Sequence, residues 1–201
     1  MTSAVRTLCL LALLAGCAPA AYLFQMDTSG FVGNPSGPFS LTFSLVDGGG
    51  AETNTVDITD FNVGTGSLTG LPVLSGGAIT IPGGFRIVDT GLDNRVTQTF
   101  DPGAVLQFLA SFTTLPDDPA PDALSFSILD SNGIEVPTTG LGNTILYLEL
   151  TPGALAELSA SAEDPSLFDQ PTFTEVPEPA TSALLLFGGV LILRARRGAR
   201  G

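Results

Sequence analysis

The sequence contains no histidine, no lysine and no tryptophan, and all of its seven basic residues are arginine. Without histidine there is no Ser-His-Asp or Cys-His triad and no imidazole ligand for a metal. Without lysine there is no P-loop and no Schiff-base catalysis. Twenty acidic residues set the formal net charge at −13, whereas a nucleic-acid-binding protein needs a basic surface. We therefore expect a non-enzymatic protein with no nucleic-acid partner.

The N-terminus has the pattern of a secretory signal peptide. Arg6 supplies a positive charge, and an uncharged apolar run follows over residues 8–14. Ala18 and Ala20 form an A-x-A site, which predicts cleavage before Ala21. We therefore expect a signal helix over residues 1–20 and export of the remaining chain.

Cys17 gives this segment a second interpretation. Residues 14–17 (LAGC) match a bacterial lipobox, in which the cysteine is acylated and becomes the first mature residue. The other cysteine, Cys9, lies within the apolar run. A chain that begins at Ala21 would contain no cysteine, so its fold would not depend on disulfides.

The C-terminus carries three features in succession. Pro177, Glu178 and Pro179 follow Val176, and residues 180–193 are then uncharged and largely apolar. This stretch is shorter than the roughly 20 residues of a typical span, but arginine side chains can snorkel and a bilayer can thin. We therefore predict a single transmembrane helix over 180–193 whose basic end, over 194–201, stays in the cytoplasm. That end contains Arg194, Arg196, Arg197 and Arg200.

In this order and at this position, the three features resemble the PEP-CTERM sorting signal, which also bears the name ice-binding protein C-terminal domain. The resemblance covers residues 176–201 and does not itself imply ice binding. It implies an exported Gram-negative protein whose inner-membrane-tethered precursor faces the periplasm. An exosortase-type protease would then process the tail and place the protein at the cell surface or outside the cell. Since such proteins are typical of bacteria that make exopolysaccharide or biofilm, we expect a surface or matrix protein associated with exopolysaccharide.

Residues 21–159 show the period-two alternation of half-buried strands. A change of parity after Ile58 predicts a β-bulge near Thr59 and Asp60. Residues 154–158 have the composition of one helical turn at most. About nine short strands separated by Gly, Pro and Asn turns predict an all-β antiparallel sandwich, either jelly-roll-like or immunoglobulin-like. The predicted strands lie at 22–26, 39–45, 56–63, 78–81, 85–88, 96–100, 106–112, 124–128 and 146–150.

Residues 160–175 are rich in Ser, Asp and Pro, with few apolar residues between them. Such a composition is typical of a linker. We therefore expect this segment to hold the sandwich away from the membrane.

Acidic loops are the one set of residues with candidate chemistry. Calcium takes carboxylate and carbonyl oxygens as ligands, but none of the loops has an EF-hand pattern, and Asp, Asn and Gly are also ordinary turn residues. We expect no required cofactor, with a structural calcium ion as the alternative. A carboxylate pair would equally suit a glycan-active enzyme, which is the alternative to a non-enzymatic protein. The candidate calcium ligands are Asp47 and Glu52 in one loop, Asp117, Asp118 and Asp122 in a second, and Asp130 in a third.

Overall fold

Two antiparallel sheets pack face to face and enclose the apolar residues of the alternating segments. The computed structural model describes residues 21–50, 53–115 and 120–176. Two short 3₁₀ turns, Ser29–Phe31 and Leu141–Asn143, lie between strands. The strands are β1 (Ala21–Asp27), β2 (Phe39–Val46), β3 (Thr55–Asn62), β4 (Ser67–Leu68), β5 (Val73–Ser75), β6 (Gly77–Ile81), β7 (Gly84–Val88), β8 (Asn94–Asp101), β9 (Val105–Phe112), β10 (Ala123–Leu129), β11 (Leu146–Thr151), β12 (Ala154–Ser159) and β13 (Thr172–Val176).

The first sheet has the strand order β13-β1-β9-β3-β7-β6. The second sheet has the order β12-β11-β10-β2-β8-β4, and β5 also pairs with β8. Since consecutive strands alternate between the sheets along most of the chain, long-range pairing joins almost every part of the domain. The predicted antiparallel β-sandwich is confirmed for the described residues.

Phenylalanine rings fill the space between the sheets. Phe24 and Phe108, from the first sheet, stack with their centroids 4.5 Å apart. Phe43 and Phe126, from the second sheet, stack at 4.9 Å, and Phe43 meets Phe108 edge-on at 5.1 Å. All four side chains are buried. Ring pairs in these geometries add about 0.5–1.5 kcal/mol each beyond the area that they bury, so this cluster is the centre of the core.

The β-bulge predicted from the sequence is confirmed in β3. The register against β9 shifts between Thr59 and Asn62, and Asp60 has a φ of 54°. The extra residue turns Phe61 towards the interior, where its ring meets that of Phe85 at 5.6 Å. The change of parity in the sequence therefore marks the bulge, at which the inward-facing residues of the strand change from even-numbered to odd-numbered positions.

The helical turn considered for residues 154–158 is wrong, because these residues lie in β12. They continue a hairpin from β11 in which Thr151 pairs with Ala154 and Leu146 with Ser159. Gly153, with a φ of 71°, permits the tight connection. Cross-strand pairing therefore overrides the weak helical propensity of this short alanine-containing stretch.

The linker predicted over residues 160–175 is also wrong, because this segment belongs to the compact unit Ala21–Glu175. Phe168 is 2% exposed and stacks on Phe31 at 5.9 Å. β13 then pairs with β1 at the edge of the first sheet. A few apolar side chains are therefore enough to hold this segment against the sandwich, although its average composition is typical of a linker.

Among the described residues, no helix is long and apolar enough to cross a membrane. The predicted signal helix over 1–20 and the predicted span over 180–193 lie outside the described residues.

Candidate functional site

Three aspartates meet at one end of the sandwich. Asp47 directly follows β2, Asp89 directly follows β7 and Asp122 directly precedes β10. One carboxylate oxygen from each lies within 4.8 Å of the other two. Because β7 belongs to the first sheet and β2 and β10 to the second, this aspartate cluster connects the two sheets.

Strand pairing explains why residues so distant in sequence come together. The last residue of β2, Val46, is the partner of Ala123 at the start of β10, so Asp47 and Asp122 continue paired strands. In the other sheet, Val88 at the end of β7 pairs with Thr55 at the start of β3. The cluster is thus fixed by the ends of two strand pairs.

Buried amides orient two of the carboxylates. The side-chain amide of Asn54 donates to Asp122 Oδ2 at 3.0 Å, and the Gly48 backbone N–H donates to Oδ1 at 2.9 Å. The side-chain amide of Asn94 donates to Asp89 Oδ1 at a longer 3.3 Å. Asn54, Asn94 and Asp122 are fully buried, and Asp89 is 6% exposed. Asp89 and Asp122 therefore belong to the interior, whereas Asp47 is half-buried.

Among the described residues, no arginine is available to neutralise these carboxylates. Between residues 21 and 178 the only basic side chains are Arg86 and Arg95. Arg86 makes a bidentate pair with Asp57 at 2.6 and 2.7 Å, and Arg95 pairs with Asp93 at 2.9 Å. Both cations are thus engaged elsewhere, and the cluster must be compensated by protons or by a bound cation.

The electrostatics of Asp89 reflect this lack of compensation. Burial, followed by the charges of Asp122 and Asp47, raises the pKa of Asp89 to about 6, and a hydrogen bond from the Gly91 backbone acts in the opposite direction. In the absence of metal, Asp89 therefore keeps its proton under mildly acidic conditions, where its carboxyl is hydrogen-bonded to that of Asp122.

Chemically, the cluster is suited to holding a hard cation. Three carboxylates offer oxygen ligands of the kind that Ca²⁺ prefers. The burial of Asp89 and Asp122 separates them from any polymeric substrate. The geometry therefore favours a structural role for the cluster over catalysis.

The structure joins two of the acidic loops proposed from the sequence and separates the third. Asp47 and Asp122 come together, while Asp130 lies in an exposed turn. There it accepts hydrogen bonds from the backbone N–H groups of Ile134 and Asn132 at 2.9 and 2.8 Å, which lower its pKa. Three further candidates, Glu52, Asp117 and Asp118, lie outside the described residues.

The sequence alone does not identify Asp89 as a member of the cluster. Its only local signal is an acidic residue that directly follows a predicted strand over 85–88. A single aspartate in this position is an ordinary turn residue. Only the pairing of β7 with β3, and the packing of the two sheets, shows that it meets Asp47 and Asp122.

A second polar feature crosses the outer face of the second sheet. Arg95, Ser44, Ser125 and Tyr147 are successive cross-strand partners on β8, β2, β10 and β11. Direct partners in antiparallel strands lie on the same face, so this polar row spans about 14 Å. The Arg95 side chain is 49% exposed, Ser125 and Tyr147 are half-buried, and Ser44 donates to Asp93 at 2.7 Å. The row combines a cation, hydroxyls and an aromatic ring on one face of the sheet, and its Ser44 is buried, at 7% exposure.

The residues predicted to direct export fall mostly outside the described part of the chain. Ala21, the predicted first mature residue, begins β1, where it pairs with Ser111. Val176, the first residue of the predicted sorting motif, ends β13. The remaining residues of the predicted cleavage, lipidation and sorting sites lie outside the described residues, and these are Cys17, Ala18, Ala20, Pro177, Glu178, Pro179, Arg194, Arg196, Arg197 and Arg200.

Comparison with known proteins found no family model, no curated protein and no solved structure that matches this chain.

Proposed function

We propose that this chain is an exported, non-enzymatic surface or extracellular-matrix protein that associates with exopolysaccharide. The signal pattern over 1–20 and the PEP-CTERM-like tail over 176–201 support export and sorting. In this proposal the tail tethers the precursor to the inner membrane with the sandwich in the periplasm. An exosortase-type protease then releases the protein to the cell surface.

The observation that carries polysaccharide association is the polar row on the second sheet. Hydroxyl and guanidinium groups hydrogen-bond sugar hydroxyls, and a tyrosine ring offers an apolar face with a polar edge. The row spans four strands, which suits an extended polymer better than a small molecule in a pocket. Arg95 and Tyr147 lie at its two ends and are the residues that we expect to contribute most.

Affinity electrophoresis of the full-length chain in mild detergent tests this proposal. Gels would contain dextran as a neutral polysaccharide or alginate as an acidic one. We expect the wild type to be retarded by at least one of them and Arg95→Ala and Tyr147→Ala to lose most of that retardation. Arg86→Ala is the matched control, since it removes the same charge from the other sheet. Equal migration of the wild type with and without polysaccharide would exclude binding of these polymers.

A calcium ion at the aspartate cluster is the second element of the proposal. It is supported by three converging carboxylates, by the burial of Asp89 and Asp122, and by the pairing of Arg86 and Arg95 elsewhere. An ion there would bind the ends of both sheets together. Its contribution would be to stability, and the polar row would not depend on it directly.

The strand orders support a jelly-roll-like sandwich over an immunoglobulin-like one. In a jelly roll of eight strands, the first, eighth, third and sixth form one sheet, and the second, seventh, fourth and fifth form the other. Counting β6 and β7 as one unit, the order β1-β9-β3-β7 follows the first pattern. The order β2-β8-β4 follows the first three places of the second, while β5 pairs with β8 rather than with β4. Strands β10 to β13 then extend the two sheets. Jelly rolls include lectin domains, although a fold alone does not assign a ligand.

A carboxylate-based glycan-active enzyme is the alternative function. It requires two carboxylates about 5–9.5 Å apart across an accessible cleft. Asp89 and Asp122 are close but buried, and the open groove of about 570 Å³ beside β7 is lined by one carboxylate, Asp60. Release of reducing sugar from alginate or dextran that is lost in Asp60→Asn would favour the enzyme.

The intact mass of the mature protein tests the sorting part of the proposal. A chain that begins at Ala21 and ends near 177–179 is the expected product of signal peptidase and exosortase-type processing. A chain that begins at an acylated Cys17 would support the lipoprotein alternative, and a mass that includes residues 180–201 would contradict cleavage of the tail.

A further inference from the structure

A groove opens between the two sheets, at the side where β6 ends the first sheet and β4 ends the second. Its volume is about 570 Å³, and small-molecule sites occupy about 300–1,000 Å³. Thr80 pairs with the buried Phe85, and Gln98 pairs with the buried Leu41. Because direct cross-strand partners lie on one face of a sheet, both polar side chains lie on the inner faces of the sandwich. The groove therefore reaches the core from the side.

Gln98 has an unpaired oxygen in this groove. Its side chain is 4% exposed, and its Nε2 donates to the backbone carbonyls of Thr69 at 2.6 Å and Thr99 at 2.9 Å. These two bonds fix the orientation of the amide. Among the described residues, no group donates to Gln98 Oε1. A buried amide oxygen without a partner costs free energy, so a ligand in the groove that donates to this oxygen gains a favourable hydrogen bond.

Asp60, which is exposed, supplies a second acceptor to the groove. It lies in the bulge of β3 with a φ of 54°, and bulges commonly redirect a side chain beside a functional site. Its carboxylate accepts from Thr59 Oγ1 at 3.3 Å, and both arginines of the described residues pair with other aspartates. The groove thus presents acceptors and one uncompensated negative charge. These features favour a ligand that is rich in donors and carries no negative charge.

Apolar surface completes the lining of the groove. The ring of Phe61 is half-buried, and Leu68, Pro72 and Ile81 lie beside it. A sugar ring has the matching distribution of groups, because its C–H faces are apolar and its hydroxyl edges donate and accept hydrogen bonds. The exposed hydroxyl of Thr80 can bond to such an edge.

We propose that this groove binds a neutral sugar residue of a glycan. Asp60, Thr80 and Gln98 bond to its hydroxyls, and Phe61 contacts its apolar face. The class of ligand rests on the proposed association with exopolysaccharide, but the site is separate from the polar row, which lies on the outer face of the second sheet. Repulsion by the Asp60 carboxylate disfavours an acidic sugar. The groove would thereby determine which sugar is recognised, whereas the row contacts the polymer along its length.

Saturation-transfer difference NMR of the full-length chain in mild detergent tests this site. The probes are three neutral trisaccharides: isomaltotriose, cellotriose and triacetylchitotriose. We expect at least one of them to bind the wild type. Asp60→Asn should weaken that binding about tenfold, because a hydrogen bond to a charged group is lost. Thr80→Val should weaken it as well, since it removes a hydroxyl and keeps the shape of the side chain.

Both substitutions suit their positions in the fold, because asparagine tolerates a positive φ and valine favours a strand. Asp130→Asn and Thr174→Val are the matched controls. They make the same replacements in a separate exposed turn and on β13, at the opposite edge of the first sheet. Both controls should bind the trisaccharide like the wild type.

Three results would overturn this inference. The first is that no trisaccharide binds, which leaves retardation of polymers by the polar row as a separate question. The second is binding that is lost in Arg95→Ala or Tyr147→Ala but kept in Asp60→Asn, which would place the sugar on the polar row. The third is hydrolysis of the trisaccharide that is lost in Asp60→Asn, which would make the groove the site of the alternative enzyme. Binding that depends on Asp60, without retardation in polysaccharide gels, would support the groove and contradict the polar row.

Discussion

The Asn54 side-chain amide donates to Asp122 Oδ2 at 3.0 Å, and both side chains are fully buried. Asn54 directly precedes β3 of the first sheet and Asp122 directly precedes β10 of the second, so this bond joins the two layers. The oxygen of the same amide, Asn54 Oδ1, accepts from Thr113 Oγ1 at 2.9 Å and from the Leu115 N–H at 2.8 Å. Asn54 is thereby held in one orientation, and its amide hydrogen is fixed towards the carboxylate. These hydrogen bonds fix the position of the aspartate cluster in the fold, and its effect on stability can be measured directly.

Calcium should stabilise the protein through this cluster. A ligand that binds only the folded state adds about 2.7 kcal/mol at a hundred times its Kd, which would raise Tm by several degrees. We expect Asp89→Asn to abolish the difference in Tm between calcium and EDTA. In EDTA alone, the variant should be at least as stable as the wild type, because it removes a repelling charge.

Asp130→Asn is the control for this experiment, since Asp130 is a carboxylate in a separate, exposed turn. Differential scanning calorimetry of the three proteins in both buffers is the measurement. A calcium-dependent shift that survives in Asp89→Asn but disappears in Asp130→Asn would locate the ion in the exposed turn and not in the cluster.

In EDTA, stability should depend on pH in a direction that Asp89 sets. Its pKa is raised to about 6 in the folded protein, above the unfolded value of about 3.9. The folded state therefore binds this proton more tightly, so the contribution of Asp89 to stability is greatest below the unfolded pKa and is lost as pH rises through 6. Two pKa units correspond to at most about 3 kcal/mol. We expect urea unfolding in EDTA to give a higher free energy of unfolding at pH 5 than at pH 7.5.

Asp89→Asn should remove this increase between pH 7.5 and 5. Below pH 4 the trend should reverse in both proteins, because hydrogen bonds lower the pKa values of Asp27, Asp130 and Asp164, whose protonation favours unfolding. A wild type that loses stability steadily from pH 7.5 to 5 would show that Asp89 is not the controlling group.

The phenylalanine cluster should dominate the stability of the sandwich. Phe108 is 1% exposed and its ring meets those of Phe24, Phe43, Phe61 and Phe126 within 5.7 Å. Phe108→Ala should lower the free energy of unfolding by about 3–5 kcal/mol, since it removes buried area and leaves a cavity. Leu158→Ala, at a site that is 62% exposed, should change it by less than about 0.5 kcal/mol. Urea titrations followed by circular dichroism would measure both, and similar losses in the two variants would contradict a core centred on these rings.

Much of the sandwich could be predicted because strand alternation is a local property. The sequence around Phe43 or Phe126 repeats apolar and polar residues with a period of two, and the bulge at Asp60 appears as a change of parity. β4 and β5 have two and three residues and exposed side chains, so no alternation marks them. The aspartate cluster depends on pairings such as Val46 with Ala123, which are non-local and leave no trace in the sequence near Asp89.

Residues 160–175 give the sharpest test of where composition misleads. Phe168 is buried against Phe31, and the chain crosses so close to Gly30 that a Cβ there would collide with the backbone carbonyls of Ser166 and Leu167. If this segment is part of the fold, Phe168→Ala should lower the free energy of unfolding by about 3 kcal/mol or more. Gly30→Ala should also destabilise, because the backbone of the segment must move away.

Asp169→Ala is the matched control, since Asp169 neighbours Phe168 but is exposed. It should change the free energy of unfolding by less than about 0.5 kcal/mol. Limited proteolysis adds a second readout: cleavage within 160–175 should be slow in the wild type and fast in Phe168→Ala, because local opening exposes the backbone. A flexible linker would instead be cut rapidly in every variant and would leave the free energy of unfolding unchanged by either substitution. Unfolding and proteolysis together therefore distinguish a segment that packs as part of the sandwich from one that only connects it to the tail.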